Sequence, residues 1–412
     1  MNAEHSIPDL SQHLVSETHW TSTKYSKHML MDALVKHILS LMPYGMTDLG
    51  EVLEVVGLLR PGDEERWIST WGAMAQRLQA RAEASERDGK LVSAGTAYLR
   101  ASTYWRAALL NFSAPGDPRL RDYALASAHC YERSLELSGY PGEYVEIPYE
   151  DSFLPGHVHR SPVAAENSPL LIITPGRDTW AEDTRWVIDG AMKRGIHCLV
   201  YDGPGQGYAL RLYDMKFRPD WENVIGPVVD FALALPGIDK SRVGMMGLSF
   251  GGFLVTRAAA FEKRVKICIM DPGNISWGQS IIGHFPGFIA DALLERRGKT
   301  IQRLVSWGLE RSPVGWLLKD YAWKHGVPVR EVFKTLLPYD NTGIAGRIEC
   351  KTLVMDGTGE IIPGKAKILY DALTCPKHYM LFDDTTTAQS HCQIGGYATG
   401  TEMLFDWIED HL

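Results

Sequence analysis

Gly247-Leu248-Ser249-Phe250-Gly251 sets a hydroxyl between two glycines, each two residues away. The strand-like RVGMM precedes it and the helix-like FLVTRAAAFE follows. A strand that passes into a helix through G-x-S-x-G turns so tightly that only small residues fit two positions either side of the serine. The turn lifts the hydroxyl above the sheet and aims helix-start amides at a developing oxyanion. The chemistry these residues could do is nucleophilic attack on a carbonyl, with an acyl-enzyme as intermediate.

A serine hydroxyl is a weak nucleophile until a base takes its proton. In a strand–turn–helix setting the chain order is serine, acid, histidine. The strand-like HYMLFDD runs into TTTAQSHCQIGG, so His391 is the histidine expected to reach back over Ser249. The acid that orients the imidazole is expected at Glu360, in the loop after KTLVM. Asp271, following VKICIM, is the alternative acid, because the preceding strand end can also supply one. Asp356, at the strand end itself, reads as structural, and Cys392 as a helix-start core cysteine. The oxyanion donors are the amide of Phe250, just after the nucleophile, and that of Arg177 in the early loop Pro175-Gly176-Arg177-Asp178-Thr179. The Arg177 side chain reads as a solvated or salt-bridged arginine.

These residues need a scaffold with strand ends in one place. From about Tyr144, apolar runs alternate with helix-length segments: YVEIPYE, PLLIITPG, HCLVYDGPG, RVGMMGLSFGG, VKICIMDPG, KTLVMDG and KHYMLFDD. That grammar predicts an α/β chain with a mostly parallel sheet covered on both faces, and function beyond the carboxyl ends of its strands. Residues up to about 135 carry helical periodicity instead. Trp67, Trp71, Met74 and Leu78 share a face, Asp88-Gly89 separates two antiparallel helices, and Asp117-Pro118 opens a third. This predicts an N-terminal helical cap domain over 1–138 and a catalytic domain over 139–412. An aromatic, amphipathic stretch over about 277–346 interrupts the latter as a helical lid insertion. The glycines of Asp202-Gly203-Pro204-Gly205-Gln206-Gly207 never complete G-x-G-x-x-G, and no apolar-periodic helix is expected to start there. They read as a rigid turn walling the site. No cofactor and no metal is expected, since no nucleotide fingerprint or His/Cys ligand spacing occurs.

Composition excludes other classes. Of the 412 residues, 45% are hydrophobic and 22% charged, which is globular rather than disordered or fibrous. With 42 Lys+Arg against 50 Asp+Glu the formal charge is −8, and no basic run offers a nucleic-acid footprint. No 18 consecutive apolar residues suggest a membrane span, and the first twenty lack the charged start and apolar stretch of a signal peptide. Six scattered cysteines without a CxxC pair read as reduced thiols. A cytoplasmic protein with a small-molecule substrate is the expectation.

With DGPGQG (202–207), FRPDWE (217–222), GLSFGG (247–252), LYDALTCPK (369–377) and HCQ (391–393), the chain resembles a branch of the α/β-hydrolase superfamily. That branch contains dihydroxypseudooxynicotine hydrolase and the fungal polyketide-shortening hydrolases, and AYLRASTYWRAA (97–108) is similar to its N-terminal helices. The resemblance implies the α/β-hydrolase fold, a homodimer, a site between cap and core, and hydrolysis of carbon–carbon bonds in β-dicarbonyl substrates besides ester cleavage. By motif position the family's serine falls on Ser249, its histidine on His391 and its acid, usually aspartate, on Glu360. The family's early loop, usually Gly-Gly-x-Asp-Ser-Thr, here reads Pro-Gly-Arg-Asp-Thr-Trp, so Trp180 points to an altered pocket. Two other uses stay open: a transacylase or cyclase of specialised metabolism, and a non-acylating binding or cyclase role.

Overall fold

The computed structural model describes residues 20–412 apart from 111, 113 and 313. The absence of a leader pattern falls on a segment largely outside these described residues. The order begins with helices: α1 (Met29–Ser40), α2 (Leu49–Leu58), α3 (Glu64–Arg87), α4 (Leu91–Ala108) and α5 (Arg119–Ser138). Asp88 and Gly89 separate α3 from α4, with Gly89 at φ 72°, a left-handed turn that needs no Cβ. Pro118 stands at the cap of α5 rather than inside its first turn, and the Asp117 carboxylate accepts the Arg119 N–H at 2.9 Å. Trp67, Trp71, Met74, Leu78, Tyr98 and Tyr104 form the core of this region.

The sheet follows: β1 (Glu143–Tyr149), β2 (Ser152–His159), β3 (Ser168–Thr174), α6 (Arg185–Met192), β4 (His197–Tyr201), α7 (Gly207–Tyr213), α8 (Glu222–Ala234), β5 (Ile238–Leu248), α9 (Phe250–Phe261) and β6 (Ile267–Asp271). Five short helices come next: α10 (Trp277–Gly283), α11 (Gly287–Leu293), α12 (Lys299–Leu309), α13 (Gly315–Lys324) and α14 (Val332–Leu336). The order closes with β7 (Lys351–Gly357), α15 (Lys365–Ala372), β8 (Lys377–Phe382) and α16 (Tyr397–Glu409). The eight strands stand in the order β1-β2-β4-β3-β5-β6-β7-β8, and β2 alone runs against the rest.

Side chains alternate across the strands, so β3 feeds two cores. Leu170 and Ile172 pack with Val224, Val228, Leu254 and Ala258 of α8 and α9. Leu171 and Ile173 pack with Val187, Ile188, Leu404 and Phe405 of α6 and α16. Burial on both faces is why the inner strands read as unbroken apolar runs rather than as alternation. Among the described residues no helix is long and apolar enough to cross a membrane. All six cysteines are free thiols.

Two expectations change. β2 (SFLPGHVH) was not among the strand-like runs, because Pro155 and Gly156 break its pattern. Gly156 is required by close approach: a Cβ there would stand 2.5 Å from the Val200 carbonyl of β4. In addition, a helix does begin in the glycine turn, since α7 starts at Gly207 with Gln206 at its cap. The Gly156→Val substitution is expected to destabilise the fold by about 1–3 kcal/mol through overpacking. Its check is a thermal-melting midpoint well below that of the parent chain.

Candidate active site

Ser249 sits between β5 and α9 at φ 56°, ψ −122°, a conformation that side chains other than glycine rarely adopt. Its neighbours leave the backbone no alternative. A Cβ at Gly247 would lie 2.1 Å from the Gly251 carbonyl, and one at Gly251 would lie 2.4 Å from the Thr174 carbonyl of β3. The Ser249 N–H donates to the Asp271 carbonyl at 2.6 Å, which pins the turn to the end of β6. Phe250 opens α9, so its N–H is one of the helix-start amides without a partner inside the helix. The ring of Phe250 is buried against Phe217, Phe253, Trp277 and Tyr339.

The expected base and acid meet the serine. Ser249 Oγ lies 2.8 Å from His391 Nε2, and His391 Nδ1 lies 2.7 Å from Glu360 Oε2. A carboxylate only accepts, so the Nδ1–H donates to Glu360, and in the neutral ring Nε2 turns its lone pair toward the serine hydroxyl. The two loops are joined one residue earlier, where Gly359 bridges Ser390 and its N–H donates to the Gln389 carbonyl at 2.9 Å. Glu360 and His391 are the next residue of each loop, so this bridge sets their register. Beneath it, the Asp356 carboxylate accepts from the Gly357 N–H and the Tyr379 hydroxyl and does not reach the imidazole.

Burial works against a charged His391 ring, whereas the Cys392 sulfur and the Glu360 carboxylate favour it and prevail, raising its pKa well above the ordinary value. Burial also pushes the Cys392 thiol up to about 12, so that sulfur carries no charge near neutrality. Cys392 is buried, but it lies in a short 3₁₀ turn at φ 49° rather than at a helix start. Its Sγ–H donates to the Asp271 carbonyl at 3.3 Å.

Asp271 does not bond the imidazole. Its Oδ1 accepts from Gln393 Nε2 at 2.9 Å, and burial pushes its carboxyl up to about 7 despite that bond. It joins the serine turn to the histidine turn from below. Oδ2 of Asp271 and Oε1 of Glu360 are both buried without a hydrogen-bond partner among the described residues.

The loop after β3 lies against the serine: a Cβ on Gly176 would stand 2.9 Å from that of Ser249. Gln206 holds this loop, its Nε2 donating to the carbonyls of Pro175 at 2.6 Å and Gly176 at 3.2 Å. Its Oε1 accepts the Gly203 N–H at 2.9 Å, so the amide is satisfied on both sides. The Arg177 side chain is buried and ion-paired, with Nη2 at 3.0 Å from Asp178 and Nη1 bonded to Asp320. Trp180 is fully buried, with the Arg211 guanidinium 4.0 Å from its ring centre. Sequence reasoning missed Gln206, Gln393 and Asp320. The first two stand inside quoted motifs, DGPGQG and HCQ, but nothing local says which carbonyl or carboxylate a glutamine will meet. Among the described residues no group of three or more His, Cys, Asp or Glu side chains could hold a metal.

An eight-stranded sheet of this order with a serine turn after β5 defines an α/β-hydrolase. A family model described as "Esterase FrsA-like" matches residues 48–281, from the cap of α2 through most of α10. The chain belongs to this FrsA-like esterase family of α/β-hydrolase enzymes. A hydrolase of Aspergillus aculeatus, acrC, is 31% identical over 90% of this chain and 94% of its own length. The 20-hydroxy-prefusarin hydrolase of Gibberella moniliformis is 28% identical over the same shares. The crystal structure of 2,6-dihydroxy-pseudo-oxynicotine hydrolase superposes with a TM-score of 0.70, over 91% of this chain and 95% of that one, at 19% identity. That likeness is one of fold.

Nitrogen-15 NMR titration checks the electrostatics of the ring. His391 in the folded protein is expected to lose its proton well above pH 6.5, and Glu360→Gln to lower that midpoint, because burial then acts with no adjacent carboxylate.

Proposed function

We propose that this enzyme is a cytoplasmic serine hydrolase with Ser249, His391 and Glu360 as its triad. Its substrate would be a small aromatic or polyketide-like molecule, cleaved at the carbon–carbon bond of a β-dicarbonyl unit or at an ester. The observation that carries the reading is the unbroken path from Ser249 Oγ to His391 Nε2, and from Nδ1 to the buried Glu360. The N-terminal region, 1–138, acts as a cap and the 277–346 insertion as a lid over the strand ends. The resemblance supports β-dicarbonyl cleavage and a homodimer, and the hydrolase names of the relatives support transfer of the acyl group to water.

Ser249 Oγ attacks the carbonyl carbon while its proton passes to His391 Nε2. The carbonyl π electrons move to oxygen, where the amides of Phe250 and Arg177 receive the oxyanion. Collapse re-forms the carbonyl and breaks the bond to the leaving group. From a β-diketone this group departs as an enolate, from an ester as an alkoxide, and His391 returns the proton to it. A water molecule then repeats the sequence on the acyl-enzyme: its proton goes to His391, its oxygen to the acyl carbon, and Ser249 is released with an acid as product. Glu360 stabilises the imidazolium in both halves.

An active-serine phosphonate is expected to add once to the parent chain, as read by intact mass, and not at all to Ser249→Ala. The same variant should lose at least about a thousandfold in kcat. Full turnover by Ser249→Ala would end this reading. In heavy-oxygen water the acid product is expected to carry one label; an unlabelled product would favour the transacylase or cyclase reading.

The base must be neutral in the free enzyme. Because the His391 pKa is raised, kcat/KM is expected to fall as pH drops through a midpoint above 6.5. Glu360→Gln should shift that acid limb to lower pH while reducing the plateau.

A further inference from the structure

Asp320 and Lys324 lie one turn apart on α13, and both side chains are fully buried. Lys324 Nζ is 3.0 Å from Asp320 and 2.5 Å from Asp178. Arg177 Nη2 is 3.0 Å from that same Asp178, and Nη1 bonds Asp320. The four make a closed ring of alternating charge, two members from the insertion and two from the loop after β3. The Tyr321 ring lies 3.9 Å from the Arg177 guanidinium and closes one side.

A buried ring of this kind adds little net stability over apolar packing, but its geometry is sharply defined and it is costly when incomplete. Its position is therefore more telling than its strength. Gln206 already fixes the loop from the core side, at the carbonyls of Pro175 and Gly176. The next two residues, Arg177 and Asp178, are held by α13. The carbonyl of Lys324 also accepts the Phe217 N–H at 2.9 Å, and Trp316 of α13 meets His28 before α1 at 5.2 Å between rings. Helix α13 thus touches core, helical segment and oxyanion loop together.

We propose that Asp320 and Lys324 are positioning residues that hold the Arg177 amide at the oxyanion site, so that docking of α13 and assembly of the oxyanion hole are one event. The inference rests on the reading of Ser249 as nucleophile and the Arg177 amide as oxyanion donor.

The test uses the full chain with an activated ester, a trifluoromethyl ketone that forms a serine-linked oxyanion, and a phosphonate to count reactive sites. Asp320→Asn is expected to lower kcat per labelled site by about 10- to 100-fold, with KM within about twofold. The trifluoromethyl ketone Ki should rise by the factor by which kcat/KM falls, and Asp320→Glu should recover part of both. A merely structural role would lower the number of labelled sites and leave Ki and kcat per site unchanged; that result overturns the proposal. If Asp320→Asn does not fold, Asp320→Asn/Lys324→Met removes one charge of each sign and carries the same comparison. A parent chain that is never labelled at Ser249 would end the hydrolase reading and this inference with it. Normal labelling with an unchanged Ki would end this inference alone.

Discussion

The backbone at Ser249 is the constraint on which the site depends. A non-glycine residue at positive φ costs about 1–3 kcal/mol and persists only where its surroundings leave no alternative. Here they do so from several directions: Gly251 against the carbonyl of Thr174, Gly247 against that of Gly251, and the Ser249 N–H on the carbonyl of Asp271. β3, β5 and β6 all converge on this one turn. The parallel core of the sheet is therefore what makes a strained serine affordable, because its strand ends arrive side by side and are rigid.

The second requirement is to hold an imidazole between two partners to within a few tenths of an ångström. The chain does this without regular structure. The Gly359–Ser390 bridge ties the acid loop to the histidine loop, and Asp271 ties the histidine turn to the serine turn through Cys392 and Gln393. Asp271 illustrates how environment divides two carboxyls. Glu360 faces a base and pairs with it, whereas Asp271 is enclosed with one amide and its pKa is pushed up to about 7. The nearest acid in the sheet thus serves as a strut while a more distant loop supplies the partner of the imidazole.

Charge is also used to join the parts of the molecule. Arg106 of α4 bonds Asp183 at 2.9 Å, both buried, so the helical segment meets the region after β3 through an ion pair as well as through Trp180, Tyr208 and Trp323. Arg177, Asp178, Asp320 and Lys324 make the corresponding joint to the insertion. Apolar contacts tolerate sliding, whereas buried ion pairs specify one arrangement. Their concentration around a single loop gives that loop a defined position.

Much was legible in the sequence because it is local. The apolar strand runs and the serine between its glycines follow from steric and periodic rules that act over a few residues, and the order of serine, acid and histidine follows from the chain order of this architecture. Seven of the eight strands, the break at Asp88-Gly89 and the residues brought together around His391 could be read this way. β2 could not, since its Gly156 answers to a carbonyl on β4 rather than to its own neighbours. The sequence placed Glu360 ahead of Asp271 without excluding Asp271, because both follow strands and only the meeting of two loops decides which carboxylate faces the ring. Gln206 and Gln393 stand inside quoted motifs, yet neither they nor Asp320 and Lys324 carry a local signal of the group each one meets. Their roles are set by which buried group lies opposite, and the sequence by itself determined the reactive groups while tertiary packing decided their partners, because burial and distance are properties of the folded chain alone.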